Sequence, residues 1–366
     1  MMDNWRLIRL NFGKNVAHFG EVGIGLEETS ERVRSDTLFS ALISTYARLY
    51  SKGDVEQLLT DFCQKTEPPF RLSSTFIYRY VVKDKKFIYY LPKPLSFPQN
   101  YPVGDDLSFT KAYKKLNYLP LEVWKQWYQT KGFEESDKTA LIAHAKKDDI
   151  NSSLKEAGAF NYRDTYKEAR HPKVAIDRIT HSTNFYHTGF IQFEHEDEEK
   201  NKNHSGLYFL LHFPESNSKL EEKLHATLNL LADEGLGGER SSGAGRFTFK
   251  WEKLPPEWED LINFSGSNSH SLLSLLWDEV ENLQNQIDLE ITSYNVIPRG
   301  GWVSSSPSGI QRRRKKVRMF AEGSVFPHPP QGRLADVTPE DFNQHQIYRS
   351  GIGLSLPTNV HLFTNK

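Results

Sequence analysis

Residues 235–245 read Gly-Leu-Gly-Gly-Glu-Arg-Ser-Ser-Gly-Ala-Gly, five glycines in eleven residues around one arginine and two serines. Without a Cβ, such a run lets main-chain N–H groups approach an anion, while Arg240, Ser241 and Ser242 add charge and hydroxyls. Upstream, Leu220, Leu224, Leu228 and Leu231 recur at helical spacing over Lys219 to Asp233, and Gly235 stands where the helix stops. Downstream, Phe247, Phe249 and Trp251 alternate along a strand. The order is therefore helix, glycine loop, strand. Nucleotide-binding loops run the other way, from strand to helix, so that phosphate meets the positive end of a helix dipole. The wording agrees with that exclusion. Gly238 and Gly243 have Walker spacing but lead into Ala244 and Gly245, and a dinucleotide fingerprint begun at Gly235 and Gly237 fails at Arg240. A helix-capping glycine running into a turn explains Gly235 but not four more.

Working outward, the chain has a strand at Trp5 to Phe12, a loop with His18, Phe19 and Gly20, and a helix whose N-cap is expected at Ser35 and Asp36. Ser74 to Val82 and Lys86 to Leu91 read as a hairpin, and Pro120 to Gln129 as a helix in a segment otherwise lacking a core pattern. Val174 to Ile176 and Gly189 to Phe193 read as strands, Glu194 to Ser205 as a surface loop, and Gly206 to Phe213 as a buried central strand. Stripped of its middle insertion, the order is β-α-β-β-α-β, the split βαβ arrangement of ferredoxin-like and RNA-recognition modules. After Pro255 the pattern restarts, with a helix expected at His270 to Gln286 and strands at Leu289 to Ile297, Val317 to Phe326 and Gln346 to Leu356. The expected class is α+β: residues 1–254 form a first ferredoxin-like domain with an insertion of about 95–205, and residues 255–366 a second.

Composition narrows the function. The chain has 366 residues, 13% aromatic and 25% charged, with a formal net charge of −1. It can bury a substantial core but does not advertise nucleic-acid binding by its total charge. Local charge differs: Gln311 to Arg318 carries six cations in eight residues, a solvated strand or a binding edge. No apolar run reaches the eighteen or so residues of a membrane span, and no signal-peptide pattern begins the chain, which points to the cytoplasm. The single cysteine, Cys63, excludes an internal disulfide and reads as a small apolar residue on a helix. The Glu194 to Glu199 run with His195 and His204 has no metal-ligand spacing, Asp148 and Asp149 lack the further ligands of a two-metal nuclease, and no serine-hydrolase elbow occurs. No cofactor or metal is expected.

Ala17-His18-Phe19-Gly20, Ser35-Asp36-Thr37-Leu38-Phe39-Ser40-Ala41, Ile176-Asp177-Arg178, the glycine loop with Arg246-Phe247, and Ala321-Glu322-Gly323-Ser324-Val325-Phe326 together resemble the RAMP proteins of CRISPR systems. More narrowly, they resemble the fourth Csm subunit family of type III-A interference complexes. That resemblance implies two ferredoxin-like domains that grip the repeat-derived 5′ handle of the guide RNA (crRNA). It also implies a thumb-like insertion at the junction of handle and spacer, a neighbouring RAMP backbone subunit, and docking on the large Palm-domain subunit. It implies no catalysis. The chemistry is compatible: Arg240 and Arg246 suit bidentate phosphate contact, Ser241 and Ser242 phosphate or ribose, and Gly235, Gly237, Gly238, Gly243 and Gly245 close approach of the strand. Lys14 and His18 follow the first strand, where RNA is expected to cross. His18 is open to three readings: structural, RNA contact, or the acid/base of a metal-independent endoribonuclease, as in a related branch, with Tyr46 or Lys14 as partner. Arg178 is either an RNA contact or the ion-pair partner of Asp177.

Overall fold

The computed structural model describes residues 2–20, 27–102, 107–148, 150–195, 203–288, 290–303 and 312–361. The chain opens with β1 (Trp5–Asn11), α1 (Ser35–Leu49), α2 (Lys52–Gln64), β2 (Arg71–Leu72), β3 (Phe76–Val81) and β4 (Lys86–Pro92). It continues through α3 (Leu107–Lys115), β5 (Tyr118–Pro120), α4 (Leu121–Gln129), α5 (Glu135–Lys146) and α6 (Ser153–Glu156) to a long ribbon, β6 (Tyr166–Ile176) and β7 (Thr183–Phe193). β8 (His204–His212), α7 (Ser218–Glu234) and β9 (Thr248–Lys253) follow. The remainder holds α8 (Glu259–Ile262), β10 (Ser269–Leu272), α9 (Val280–Gln284), β11 (Val296–Arg299), β12 (Val317–Phe320), β13 (Val325–Phe326), β14 (Leu334–Asp336), β15 (Tyr348–Ser350) and β16 (Ser355–Thr358).

The fold is mixed α and β with antiparallel sheets. Seven strands form the main sheet in the order β5-β4-β3-β8-β1-β9, with β2 beside β8. Side-chain alternation shows why its centre is so apolar. Ile8, Leu10, Leu207, Phe209 and Leu211 enter one core beneath α1 and α7, while Trp5, Leu7, Tyr208 and Leu210 enter a second core on the opposite face. Both faces are covered, so β8 reads as a continuous apolar run. α7 starts on Asn217, whose side chain accepts the Leu220 amide, buries Leu220, Leu224, Leu228 and Leu231, and ends at Gly235. The segment without a visible core pattern contributes much of the second core, because its packing is aromatic: Phe109, Tyr113, Trp127 and Phe133 meet ring to ring, and Trp124 meets Tyr128.

Several expectations are corrected here. The helix expected over His270 to Gln286 is β10 followed by bent, irregular chain, with only α9 helical. Leu272, Leu273, Leu275 and Leu276 are all fully buried, and so are Ser269, Ser271 and Ser274. These serines do not form the polar face of a helix: the Ser274 hydroxyl donates to the Ile352 carbonyl and accepts the Leu354 amide. The strands expected over 317–326 and 346–356 are each broken in two, by a turn at Glu322-Gly323 and by irregular chain at 351–354. The described strands after β9 form small sheets, β13-β10-β16, β11-β12 and β14-β15. Residues on either side of the expected boundary at 254 share both large cores: Leu334 and Ile352 join the first, Leu273, Val325, Leu354 and Leu356 the second.

Two buried carboxylates tie these parts together. Glu322 receives Arg32 (2.9 and 3.0 Å), Arg34 and the Ser74 hydroxyl. Asp36 receives Arg299 (2.9 and 3.0 Å) and Arg349. Ser35 and Asp36 therefore do not cap α1, whose N-cap is Arg34. The Ser35 hydroxyl instead accepts the Leu275 amide (2.9 Å).

Candidate nucleic-acid interface

After β1 the chain turns through Gly13 and Lys14 and runs as a narrow strip between two partners. On one side Ala17 exchanges both backbone hydrogen bonds with Ile191 of β7, each 2.8 Å. On the other, the Gly238 amide donates to the His18 carbonyl and the Gly245 amide to the Val16 carbonyl, both 2.8 Å. The glycine loop is thus a clasp closed over residues 16–18. Its glycines answer to steric demand. At Gly237 φ is +101° and a Cβ would lie 2.3 Å from the His18 carbonyl oxygen; at Gly245 φ is +80° and a Cβ would lie 2.2 Å from the Leu236 carbonyl oxygen. Only glycine meets both conditions.

Much of the loop's backbone is used within the protein. The amides of Gly235, Leu236, Gly238, Ser242, Gly243, Ala244 and Gly245 all donate within the protein. Seven of the loop's eleven amides are thus turned inward, and its exposed charge is carried by side chains. Arg240, Ser241, Ser242, Arg246 and Lys14 are exposed. Lys14 and Arg246 line one surface recess, closed by Asn11, Asp233 and Thr248, and the Asn15 side-chain amide donates to the Arg246 carbonyl (3.1 Å).

His18 is placed differently. It is 5% exposed, and its Nδ1–H donates to the Gly189 carbonyl at 2.8 Å. That bond binds the strip to the ribbon's base, and Gly238 packs over the ring. Tyr46, its possible acid/base partner, is buried 2% exposed on α1, with its ring 4.4 Å from Tyr50 and the Lys223 ammonium 5.8 Å above it. His18 is thus bonded to the ribbon, and Tyr46 lies against side chains at the end of α1 and on α7.

The β6–β7 ribbon is longer than the sequence suggested, because Pro172 interrupts the alternation without ending the pairing, which runs from Tyr166↔Phe193 to Ile176↔Thr183. Only its base is buried. Val174, Ile176, Ile179 and Phe185 are exposed at 54, 62, 91 and 61%. Val174 and Phe185 face one another directly, so with Ile176 they present one apolar face at the outer end, and Ile179 stands in the tip turn beyond it. On the other face, Lys173 pairs with Glu239 of the clasp and donates to the Ser242 hydroxyl at 3.1 Å. This contact holds the Glu239 carboxyl below its usual range. Sequence reading missed Lys173 and Glu239; the only signal was Lys173's place on a strand next to a glycine-rich loop.

Arg178 is in the tip turn, beyond the last ladder pair Ile176↔Thr183. It is not grouped with Arg240 and Arg246. Nor is it held by Asp177, whose carboxylate accepts the Ile179 and Thr180 amides at 2.8 and 2.7 Å. The Glu194 to Glu199 run and Asp149 lie largely outside the described residues; Glu194 meets Arg79 at 3.2 Å. Among the described residues, no group of three His, Cys, Asp or Glu side chains is placed to hold a metal ion, and no helix is long and apolar enough to cross a membrane. Cys63 is exposed on α2.

Residues 18–248 match the family model of the RAMP superfamily, and residues 265–358 that of the CRISPR Csm4 C-terminal domain. Among curated proteins, the CRISPR system Cms protein Csm4 of Methanocaldococcus jannaschii is 24% identical, across 93% of this chain and 94% of its own length. The proteins of that name from Mycobacterium tuberculosis H37Rv and Streptococcus thermophilus are 27% and 23% identical, across 98% and 89% of this chain and 99% and 90% of theirs. A crystal structure of a Csm3-Csm4 subcomplex in the type III-A CRISPR-Cas interference complex superposes with a TM-score of 0.58 at 20% identity, covering 97% of this chain and 99% of that one. It shares the fold. The RAMP match spans most of the chain and shows that it belongs to the RAMP superfamily, with a C-terminal part that matches the Csm4 family.

Proposed function

We propose that the chain is a non-catalytic subunit of a type III-A interference complex that holds the 5′ handle of the crRNA. In this reading it lies beside a backbone RAMP subunit and anchors the large Palm-domain subunit. The names of its relatives support the assembly, since the superposed structure is of a Csm3-Csm4 subcomplex. The observation that carries the RNA reading is the joining of three exposed cationic pieces on one scaffold. The strip with Lys14, the clasp with Arg240 and Arg246, and the ribbon are stitched together by Ala17–Ile191, His18–Gly238 and Lys173–Glu239. RNA laid across this surface meets guanidinium groups for phosphate and hydroxyls for ribose, while the ribbon's apolar outer face is suited to bases, with Arg178 at its end. The main sheet supports a ferredoxin-like first unit over 1–254, since β1, β3, β8 and β9 lie in the order β3-β8-β1-β9, antiparallel at every pairing. Residues 255–366 are read as a second, much altered unit, and the ribbon as the thumb.

The test is salt-dependent binding of a repeat-derived RNA. Arg240→Ala with Arg246→Ala should weaken binding and reduce the slope of log affinity against log salt by about 0.7 for each lost phosphate contact. An unchanged slope with unchanged affinity would contradict the assignment of the surface. In parallel, wild-type chain should leave repeat RNA intact without metal; specific cleavage that disappears in His18→Ala would establish the endoribonuclease reading in its place.

A further inference from the structure

The basic run after residue 311 has a role of its own, separate from the clasp. Arg299, Arg314 and Arg349 gather around a single carboxylate, Asp36. Both oxygens of Asp36 are already committed: Oδ2 accepts from Arg299 Nε and Arg349 Nη1, and Oδ1 from Arg299 Nη2 and the Thr37 amide. Arg349 also donates from Nη2 to the Gly300 carbonyl (2.6 Å), and the Arg314 amide to the Gly301 carbonyl (2.9 Å), which brings the two arginines to one glycine corner. The Arg314 side chain is left over. Its Nε, like that of Arg349, is buried without a hydrogen-bond acceptor. Burial, then the neighbouring Arg349, push its guanidinium down to about 10, against the weaker pull of Asp36. A half-buried cation that shares Asp36 with two other arginines lacks an anion of its own.

The surroundings indicate which anion. Arg313, Lys315, Lys316 and Arg318 are exposed beside it, and Trp302 is 39% exposed with the Arg313 guanidinium 4.9 Å over its ring. A partner protein could meet Arg314 with a carboxylate and Trp302 with an apolar pocket, but the four exposed cations around them call for a polyanion. A single strand uses both, phosphate on the guanidinium fork and a base on the ring. We propose that Arg314, backed by Arg349 and flanked by Trp302, is a second single-stranded RNA contact, distinct from the clasp. It rests on the reading of the chain as an RNA-binding subunit.

The test is fluorescence anisotropy of a fluorescein-labelled single-stranded RNA with the full chain over a salt series. Arg314→Gln should weaken binding on the order of tenfold and lower the salt slope by about 0.7, with Arg314→Lys recovering part of both. Trp302→Ala should weaken binding by about tenfold without changing the slope, and Trp302→Phe should restore it. Without RNA, Arg314→Gln should be at least as resistant to denaturant as wild type, because it removes an unpaired buried charge; an arginine kept for structure would give the reverse. Wild-type affinity and slope in both Arg314→Gln and Trp302→Ala, while Arg240→Ala with Arg246→Ala still weakens binding, would overturn this site and leave the proposed function standing. If none of these variants changes binding, both are overturned. Unchanged RNA binding with a protein subunit lost from the assembled complex would reassign the patch to a protein partner and likewise refute the proposal.

Discussion

At the scale of single residues, the glycines of the clasp separate into those that permit a close approach and those that only permit a turn. Gly237 is pressed against the His18 carbonyl, whereas Gly243, at φ +85°, has no atom within 4 Å of its Cβ position. Gly237→Ala should therefore lower the unfolding free energy by roughly 2–4 kcal/mol, combining the left-handed backbone cost with displacement of the strip, and Gly243→Ala by only about 1 kcal/mol. Denaturant titration of the two variants measures the difference; equal losses would mean that the clasp does not close on His18. The composition of this loop was legible in the sequence, and its electrostatics were not. Glycine richness suggested amides turned outward to an anion, but the same lack of a Cβ allows seven of the eleven amides to reach carbonyls of the protein itself. Which of these occurs depends on residues 16–18, more than two hundred positions away.

At the scale of elements, the ribbon should be separable from the fold. Its outer part buries little, so replacing residues 172–187 by Asn-Gly, which joins the cross-strand partners His171 and Thr188 through a tight turn, should change stability by no more than about 1 kcal/mol. The same variant should bind repeat RNA more weakly, because it removes Lys173, Arg178 and the apolar face together. Thermal unfolding and RNA binding of the shortened chain measure the two effects; collapse of the fold would show that the ribbon is structural. Elements with a simple burial pattern were readable from the sequence: α7 has one apolar stripe, and β8 is apolar throughout because both faces of the sheet are covered. Leu272 to Leu276 misled because burial on every side removes periodicity, leaving a leucine spacing that imitates a helix. The aromatic packing of α3 to α5 was hidden for a related reason, since its rings pack upon each other across turns and leave no single stripe.

At the scale of the whole molecule, Glu322 and Asp36 hold the first and last parts of the chain together through Arg32, Arg34, Arg299 and Arg349. Burial would raise both carboxyl groups, but the arginines outweigh it and hold them below the usual carboxylate range. Stability from carboxyl groups depressed in the folded state is present above their unfolded values near 4 and is lost as pH falls toward the folded ones. Acid unfolding should therefore steepen below about pH 4. Glu322→Gln, which leaves two arginines without their counter-charge, should cost about 3–5 kcal/mol near neutrality and flatten that acid limb; an unaltered pH profile would contradict the coupling. The sequence motifs that marked the family, around Ser35-Asp36 and Glu322, owe their wording to this junction, a role visible only once the partners are seen in space. The central claim, that the assembled surface serves a guide RNA, is tested most directly by native purification of the chain from its own cells, with the bound RNA sequenced and the proteins identified. The account predicts RNAs that share a repeat-derived 5′ handle, together with a large Palm-domain subunit and a backbone RAMP subunit. Recovery of the chain with no RNA and no such partner would contradict it.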